Sequence, residues 1–262
     1  MTKRSSIEVD NVHKTLAYYE GINNGDLDGF DAAIADDVID HATYADGSSA
    51  SLKTILQRLA GSMKVEVVRM LADHDFVAVQ VRKTFAGAPF ARIEWNVLRF
   101  KNGKAVELWS SGEQEAALNA SGRSQIDGTT QISESANTDD NKALMRAFFE
   151  EVIIGGDFSS AAAYYDGSKL IQHDPNAGDG VEAITGYSIG LATAGTPQVF
   201  KQVRLLVGEG DFVLVATDLM QGDKARAYWE LYRLEQSKIA ERWLVADDIA
   251  PASEWKNSFG KF

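Results

Sequence analysis

Two stretches of the chain carry the residues best suited to proton chemistry. Leu170-Ile171-Gln172-His173-Asp174-Pro175-Asn176-Ala177-Gly178-Asp179-Gly180 holds the sequence's one His-Asp-Pro and ends in Asp-Gly. Val38-Ile39-Asp40-His41-Ala42-Thr43-Tyr44-Ala45-Asp46-Gly47 is a looser copy. Each places a histidine after apolar residues, then a polar turn, Asp-Gly and a helix-like run. A histidine changes charge near neutral pH and acts as general acid or base when a carboxylate lies beside it. A histidine at a strand end ahead of proline also serves to hydrogen-bond backbone and fix a turn. Both roles stay open for His173 and His41. Other chemistries are excluded more firmly. With no cysteine there is no thiolate nucleophile, no disulfide and no Cys-based zinc site. Four histidines, none in a ligand set, give no expectation of a metal or cofactor. No glycine-rich phosphate loop follows a strand, and no nucleophile–base motif occurs.

The totals bound the partners. The 262 residues are 45% hydrophobic and 24% charged, the composition of a globular protein, with a formal net charge of -12. Such a surface repels phosphate backbones, so no nucleic-acid partner is expected. The stretch Met1–Asp10 has two basic residues and no apolar core behind them, unlike a signal peptide. No apolar run approaches the ~20 residues of a membrane span. The expectation is a cytoplasmic protein without a membrane partner.

The elements that must position these histidines follow from periodicity. Val12, Leu16, Tyr19 and Ile22 recur at helical spacing, with Asp10 or Asn11 as cap and Asn23-Asn24-Gly25 as stop. Leu27, Phe30, Ile34 and Val38 suggest a second helix, and Ser51 to Leu59 a third. The period then falls to two. Strands are expected over 65–71, 76–82, 91–100 and 105–109, with a tight hairpin at Lys101-Asn102-Gly103-Lys104. Residues 121–135, rich in Ser, Thr and Gly, read as linker. The second half repeats the plan: a helix over 143–153 capped near Asp139 or Asp140, a short helix over 158–165, His173, a helix over 181–192, and strands over 200–207, 212–219, 226–234 and 239–245. Asp75-Phe76-Val77-Ala78-Val79 aligns with Asp211-Phe212-Val213-Leu214-Val215, and Lys104 to Trp109 with Lys238 to Trp243. His41 and His173 are 132 apart, Trp109 and Trp243 134 apart, so the spacing holds across the repeat.

Helices first, a His-bearing strand and then a meander resemble the NTF2-like fold, a cone-like α+β barrel. Gln172-His173-Asp174-Pro175 with Asp179-Gly180, then Glu230-Leu231-Tyr232-Arg233-Leu234, then Lys238-Ile239-Ala240-Glu241-Arg242-Trp243, resemble in order the "QHNP…DG", "DxFRxxxGK" and "KIxEHWD" segments of SnoaL-like proteins. The resemblance implies an α+β chain of two NTF2-like domains, each with three helices packed in a curved sheet: domain 1 over 1–120, a linker over 121–137 and domain 2 over 138–262. It further implies an internal pseudo-dimer, with homodimerisation of the chain left open.

The resemblance also implies which side chains line each cavity. Arg242 and Leu244 would point inward, Glu241 and Trp243 outward. Neither half keeps the aspartate that does acid–base work in the family's cyclases. The remaining inward candidates in domain 2 are Glu230 and His173 for catalysis, with Arg242, Asp218, Tyr228 and Tyr232 for binding; domain 1 offers His41 and Asn96. Glu230 with His173 would move a proton on a carbonyl substrate while Arg242 stabilises an enolate. A Glu230–Arg242 pair that only balances charge is the competing reading. The expected function is binding of a small apolar or carbonyl-bearing molecule, either with isomerase-, cyclase- or dehydratase-like chemistry or as a non-catalytic carrier or structural protein.

Overall fold

The computed structural model describes residues 4–262; Met1, Thr2 and Lys3, which begin the expected domain 1 and the N-terminal stretch read above, lie outside the described residues. Helix α1 (Ser6–Asn24) starts at Ser5, whose side chain accepts from the Glu8 backbone N–H while the Glu8 carboxylate accepts from the Ser5 N–H. This reciprocal cap, one turn before Asp10, satisfies donors that a helix start leaves open. Gly25, at φ 76°, ends the helix in the left-handed region. The expected second helix is cut short: α2 (Asp28–Ala33) gives way to β1 (Ile34–Asp40), which carries the chain to His41. The β-branched Ile34, Val38 and Ile39 favour that strand. Then follow α3 (Ser49–Leu59), β2 (Met63–Asp73), β3 (Phe76–Phe85), β4 (Ala91–Lys101) and β5 (Lys104–Gln114).

The second half runs α4 (Thr138–Phe148), a π-helical turn (Phe149–Ile154), a 3-10 turn (Phe158–Ala163), β6 (Ile171–His173), α5 (Val181–Thr193), β7 (Gln198–Glu209), β8 (Phe212–Gln221), β9 (Lys224–Glu235) and β10 (Lys238–Asp248). Asn137 caps α4 through Asp139 and Asp140 backbone N–H groups, the neighbour of the expected caps. The two sheets have the same order, β1-β5-β4-β3-β2 and β6-β10-β9-β8-β7. In each, the first strand, which ends at the histidine or just before it, pairs parallel with the last strand and the rest is an antiparallel meander. Asn102 (φ 53°) and Gly103 (φ 77°) make the tight hairpin of the first sheet, and Gln236 and Ser237 the matching one of the second. Bulges interrupt the register of β7 with β8 at Phe200/Gln202 and Val203/Leu205, which bends those strands. Each sheet buries an apolar set against its own helices: Val77, Val79, Val81 and Leu98 with Val12, Tyr19 and Phe30 in one, and Val213, Val215 and Tyr232 with Met145, Phe148 and Val152 in the other.

Two compact units result, but their boundaries differ from those read in the sequence. One comprises the described residues up to Glu115 together with Ala250–Phe262; the other is Ala116–Ile249. The polar stretch 121–137 is therefore part of the second unit, and the last thirteen residues belong with the first. Polar side chains hold both. Asn119 donates to the Gln172, Asp174 and Ala177 carbonyls at 2.8, 3.3 and 2.9 Å. Asn257 donates to the Ala42 and Ala45 carbonyls at 3.0 and 2.9 Å. The two asparagines thus satisfy the turn after each histidine in the same way, and low hydrophobicity in these stretches hid a role carried by hydrogen bonds.

This assignment predicts crossed effects. Asn257→Ala should loosen residues 41–45, and Asn119→Ala residues 172–177, each by about 1–3 kcal/mol for the lost hydrogen bonds. Peptide-level hydrogen exchange on the two variants checks it; loosening of 172–177 by Asn257→Ala would contradict the assignment.

Candidate functional site

Strand alternation sorts the candidate residues onto two faces. In β10, Arg242 stands beside Gln172 of β6 and Tyr232 of β9, and Leu244 stands beside Glu230. Tyr232 and Glu230 in turn meet Val213 and Val215, which pack on the helices. These residues make the inner face. Trp243, Glu241 and His173 are one position out of step and make the outer face.

A buried polar cluster occupies the inner face. Arg242, 4% exposed, donates from Nε and Nη2 to Glu230 Oε1 at 2.8 and 2.6 Å. Its Nη1 donates to Asp174 Oδ2 at 3.0 Å and Gln172 Oε1 at 3.3 Å. Burial works against the Arg242 charge, yet Glu230, Tyr232 and Asp174 more than offset it and hold its pKa well above the ordinary arginine value. The Tyr232 hydroxyl donates to Glu230 Oε1 at 2.9 Å, and burial, with the Glu230 charge beside it, pushes the phenol far up, so Tyr232 stays a donor. Two polar atoms of this cluster are buried and lack a hydrogen-bond partner among the described residues: Glu230 Oε2 and Gln172 Nε2. Beyond Glu230 the same face turns apolar, with Leu219, Tyr228, Leu244 and Ala246 packed with Phe200 as a cluster separate from the helix-side core. The Tyr228 hydroxyl accepts from Gln198 at 2.6 Å.

Glu230, Arg242, Tyr228 and Tyr232 therefore share the inner face, as read from the sequence. His173 does not join them. Its ring stacks on Trp243 with centroids 4.6 Å apart and planes 6° apart, on the opposite side of the sheet. Its Nε2 meets Glu241 Oε1 at 2.8 Å and its Nδ1 meets Ser124 O at 3.0 Å. A His173–Glu230 proton relay is thus ruled out by the sheet between them. His41 repeats the arrangement in the first unit: Nε2 to Glu107 at 3.0 Å, Nδ1 to Gly260 O at 3.1 Å, and the ring stacked on Trp109. It is an outer-face residue, not a cavity ligand. Asp218 also lies on the outer face, two residues along the alternation from Ala216, and takes a two-pronged ion pair from Arg204 at 3.0 and 3.1 Å. The inward residue there is Thr217, opposite Tyr228.

Asn96 sits on the inner face of the first unit, opposite Val79 and Ser110. Near it are carboxylates that received little weight from the sequence. Asp40, beside Leu108, is 6% exposed, and burial raises its pKa against the pull of His41 and Lys83. Burial would also raise Glu94, but Lys83 and Arg92, both hydrogen-bonded to it, bring it below the ordinary value. Asp40 and Gln172 hold the same repeat position, immediately before each histidine. Once the histidine is known to face outward, alternation sends both inward, and that signal was available in the sequence. An open pocket of about 400 Å³ lined by Asn23, Lys64, Val65, Glu66, Arg82 and Thr84 contains none of the expected site residues. No group of three or more His, Asp or Glu side chains among the described residues is placed to hold a metal ion. No helix among them is long and apolar enough to cross a membrane.

Residues 15–108 match the SnoaL-like domain family. The first half of the chain carries a SnoaL-like domain. The second half repeats its strand order, so both units have the NTF2-like fold. No curated protein matches the chain. Among solved structures, IdmH from Streptomyces antibioticus is 24% identical over 39% of this chain and 91% of its own, with TM-score 0.35. A protein from Jannaschia sp. CCS1 described as SnoaL-like is 18% identical over 43% and 92%, TM-score 0.39. An LEH-like epoxide hydrolase of M. tuberculosis is 20% identical over 40% and 84%, TM-score 0.35.

The outer-face pairs of the SnoaL-like domain and its repeat set an acid limit. Burial raises Glu241, but hydrogen bonds from His173 and Arg233 more than reverse this and leave its pKa lowered. A lowered folded-state value stabilises above the ordinary carboxylate value of 4.5 and is lost as pH falls through the folded value. Glu241→Gln should therefore flatten the loss of second-unit stability below about pH 4.5. Urea unfolding across pH 3–6 checks this, and an unaltered pH slope would contradict it.

Proposed function

We propose that the second unit binds, on its inner face, a small apolar or carbonyl-bearing molecule that offers a hydroxyl, with Glu230 accepting from that hydroxyl and Leu219, Tyr228, Leu244 and Phe200 as the apolar wall. The observation that carries this reading is Glu230 Oε2, buried and without a hydrogen-bond partner among the described residues. A buried carboxylate oxygen left unpaired costs free energy unless a donor reaches it. The three donors on Oε1 fix the carboxylate so that Oε2 is the atom presented. That oxygen is placed to accept a hydrogen bond from a ligand hydroxyl. Recognition therefore comes first, and proton transfer at Oε2 is the second reading, favoured by Oε2 being that carboxylate's one uncommitted oxygen.

One variant separates these. Glu230→Gln leaves Arg242 paired with Asp174, so the fold should persist by circular dichroism. Binding of bicyclic alcohols such as 1-indanol, followed by ligand-observed NMR, should weaken about tenfold. Exchange of the α-protons of 1-indanone in D2O by the wild type, lost in the variant, marks catalysis; binding without exchange marks a carrier. 1-Indanol binding indifferent to Glu230 would remove the proposal.

A further inference from the structure

Gln172 Nε2 is the second unpartnered polar atom in the cluster, and Gln172 is fully buried. Its orientation is not free. Arg242 only donates, so the amide oxygen must face Arg242 Nη1, and the amide NH2 is left to point elsewhere. Glu230 is held on the Nε and Nη2 edge of the same guanidinium, again by one oxygen. One planar group thus fixes, on two of its edges, a spare donor and a spare acceptor. Both residues are on the inner face, Glu230 opposite Leu244 of the apolar wall and Gln172 opposite Arg242, the inner-face residue before Leu244.

We infer that Gln172 and Glu230 together read a hydroxycarbonyl compound, the carbonyl accepting from Gln172 Nε2 and the hydroxyl donating to Glu230 Oε2. This rests on the inner-face site proposed above and adds a specificity-determining residue and a substrate class to it. A simple ketone answers Gln172 and leaves Glu230 Oε2 bare. A simple alcohol answers Glu230 and leaves the Gln172 N–H bare. A ligand with both groups satisfies each buried atom with a group of its own, and a site with buried polar groups discriminates strongly against analogues that leave one unpaired. A carboxylate ligand is disfavoured, since it would bring a third negative group to a cluster in which Arg242 already faces Glu230 and Asp174.

The test compares 3-hydroxy-1-indanone, 1-indanone and 1-indanol on the full chain by isothermal titration calorimetry. The wild type should bind the hydroxyketone about tenfold or more tightly than either analogue. Gln172→Met, which keeps the side chain's length and leaves Arg242 its two carboxylates, should erase the advantage over 1-indanol. Glu230→Gln should erase the advantage over 1-indanone. Gln172→Leu is the second variant should the first fail to fold, and must give the same ranking. Equal affinities of the wild type for the three compounds, or an unchanged ranking in the Gln172 variants, overturns this inference while leaving the site intact if binding still depends on Glu230. Failure of all three to bind the wild type overturns both, with water as the occupant of the paired atoms.

Discussion

A guanidinium taken out of water must be compensated where it lies, and Arg242 is the point at which the second unit meets that demand. Removing a charge from solvent costs several kcal/mol unless partners surround it, and truncating one partner of such a set is strongly destabilising. Arg242 draws its partners from three places: Glu230 on β9, Gln172 on β6 and Asp174 just beyond it. The three-residue strand β6 is thereby tied to the sheet by side chains as well as by its parallel ladder. The same tie fixes which atoms of Glu230 and Gln172 remain available. Stability and presentation of the polar atoms come from one set of hydrogen bonds.

The first unit solves its interior differently. Where β10 has Arg242 beside Gln172, β5 has Leu108 beside Asp40. The carboxylate there is raised by burial instead of being drawn into an arginine cluster, and Glu94 is paired with Lys83 and Arg92 farther along the sheet. Around the two histidines, by contrast, the outer faces repeat one another. His41, Glu107, Arg99 and Trp109 in one repeat His173, Glu241, Arg233 and Trp243 in the other. Each histidine has both ring nitrogens against acceptors and its ring against an indole. The shared outer set belongs to the architecture, and the differing inner sets are where the units part in chemistry.

Much of this was legible in the sequence because periodicity and repeat spacing are local. The meander, the hairpin at Asn102-Gly103 and the inward direction of Glu230, Tyr232 and Arg242 follow from alternation once β10 is given a facing. Asp218 and His173 were misplaced for a physical reason. Phe212, Val213, Leu214, Val215 and Ala216 are all buried, so β8 shows a continuous apolar run in which alternation names no inner side. For His173 the register with Trp243 decides, and pairing register is not written in either strand alone. The stretch 121–137 was read as linker because its contribution is made through Ser124 and Asp127 to partners 49 and 116 residues away, which no local pattern reports.

The placement of Ala250–Phe262 has a bearing on how the protein is made. The turn after His41 emerges from the ribosome well before the asparagine and glycine that close over it, 215 and 219 residues farther along. The opening domain must therefore wait, its Trp109–His41 stack uncovered, until the whole of the following one has been synthesised. A nascent chain that has not yet released residues 250–260 leaves the first unit unsealed, so a chaperone that samples nascent chains would meet exposed surface around His41.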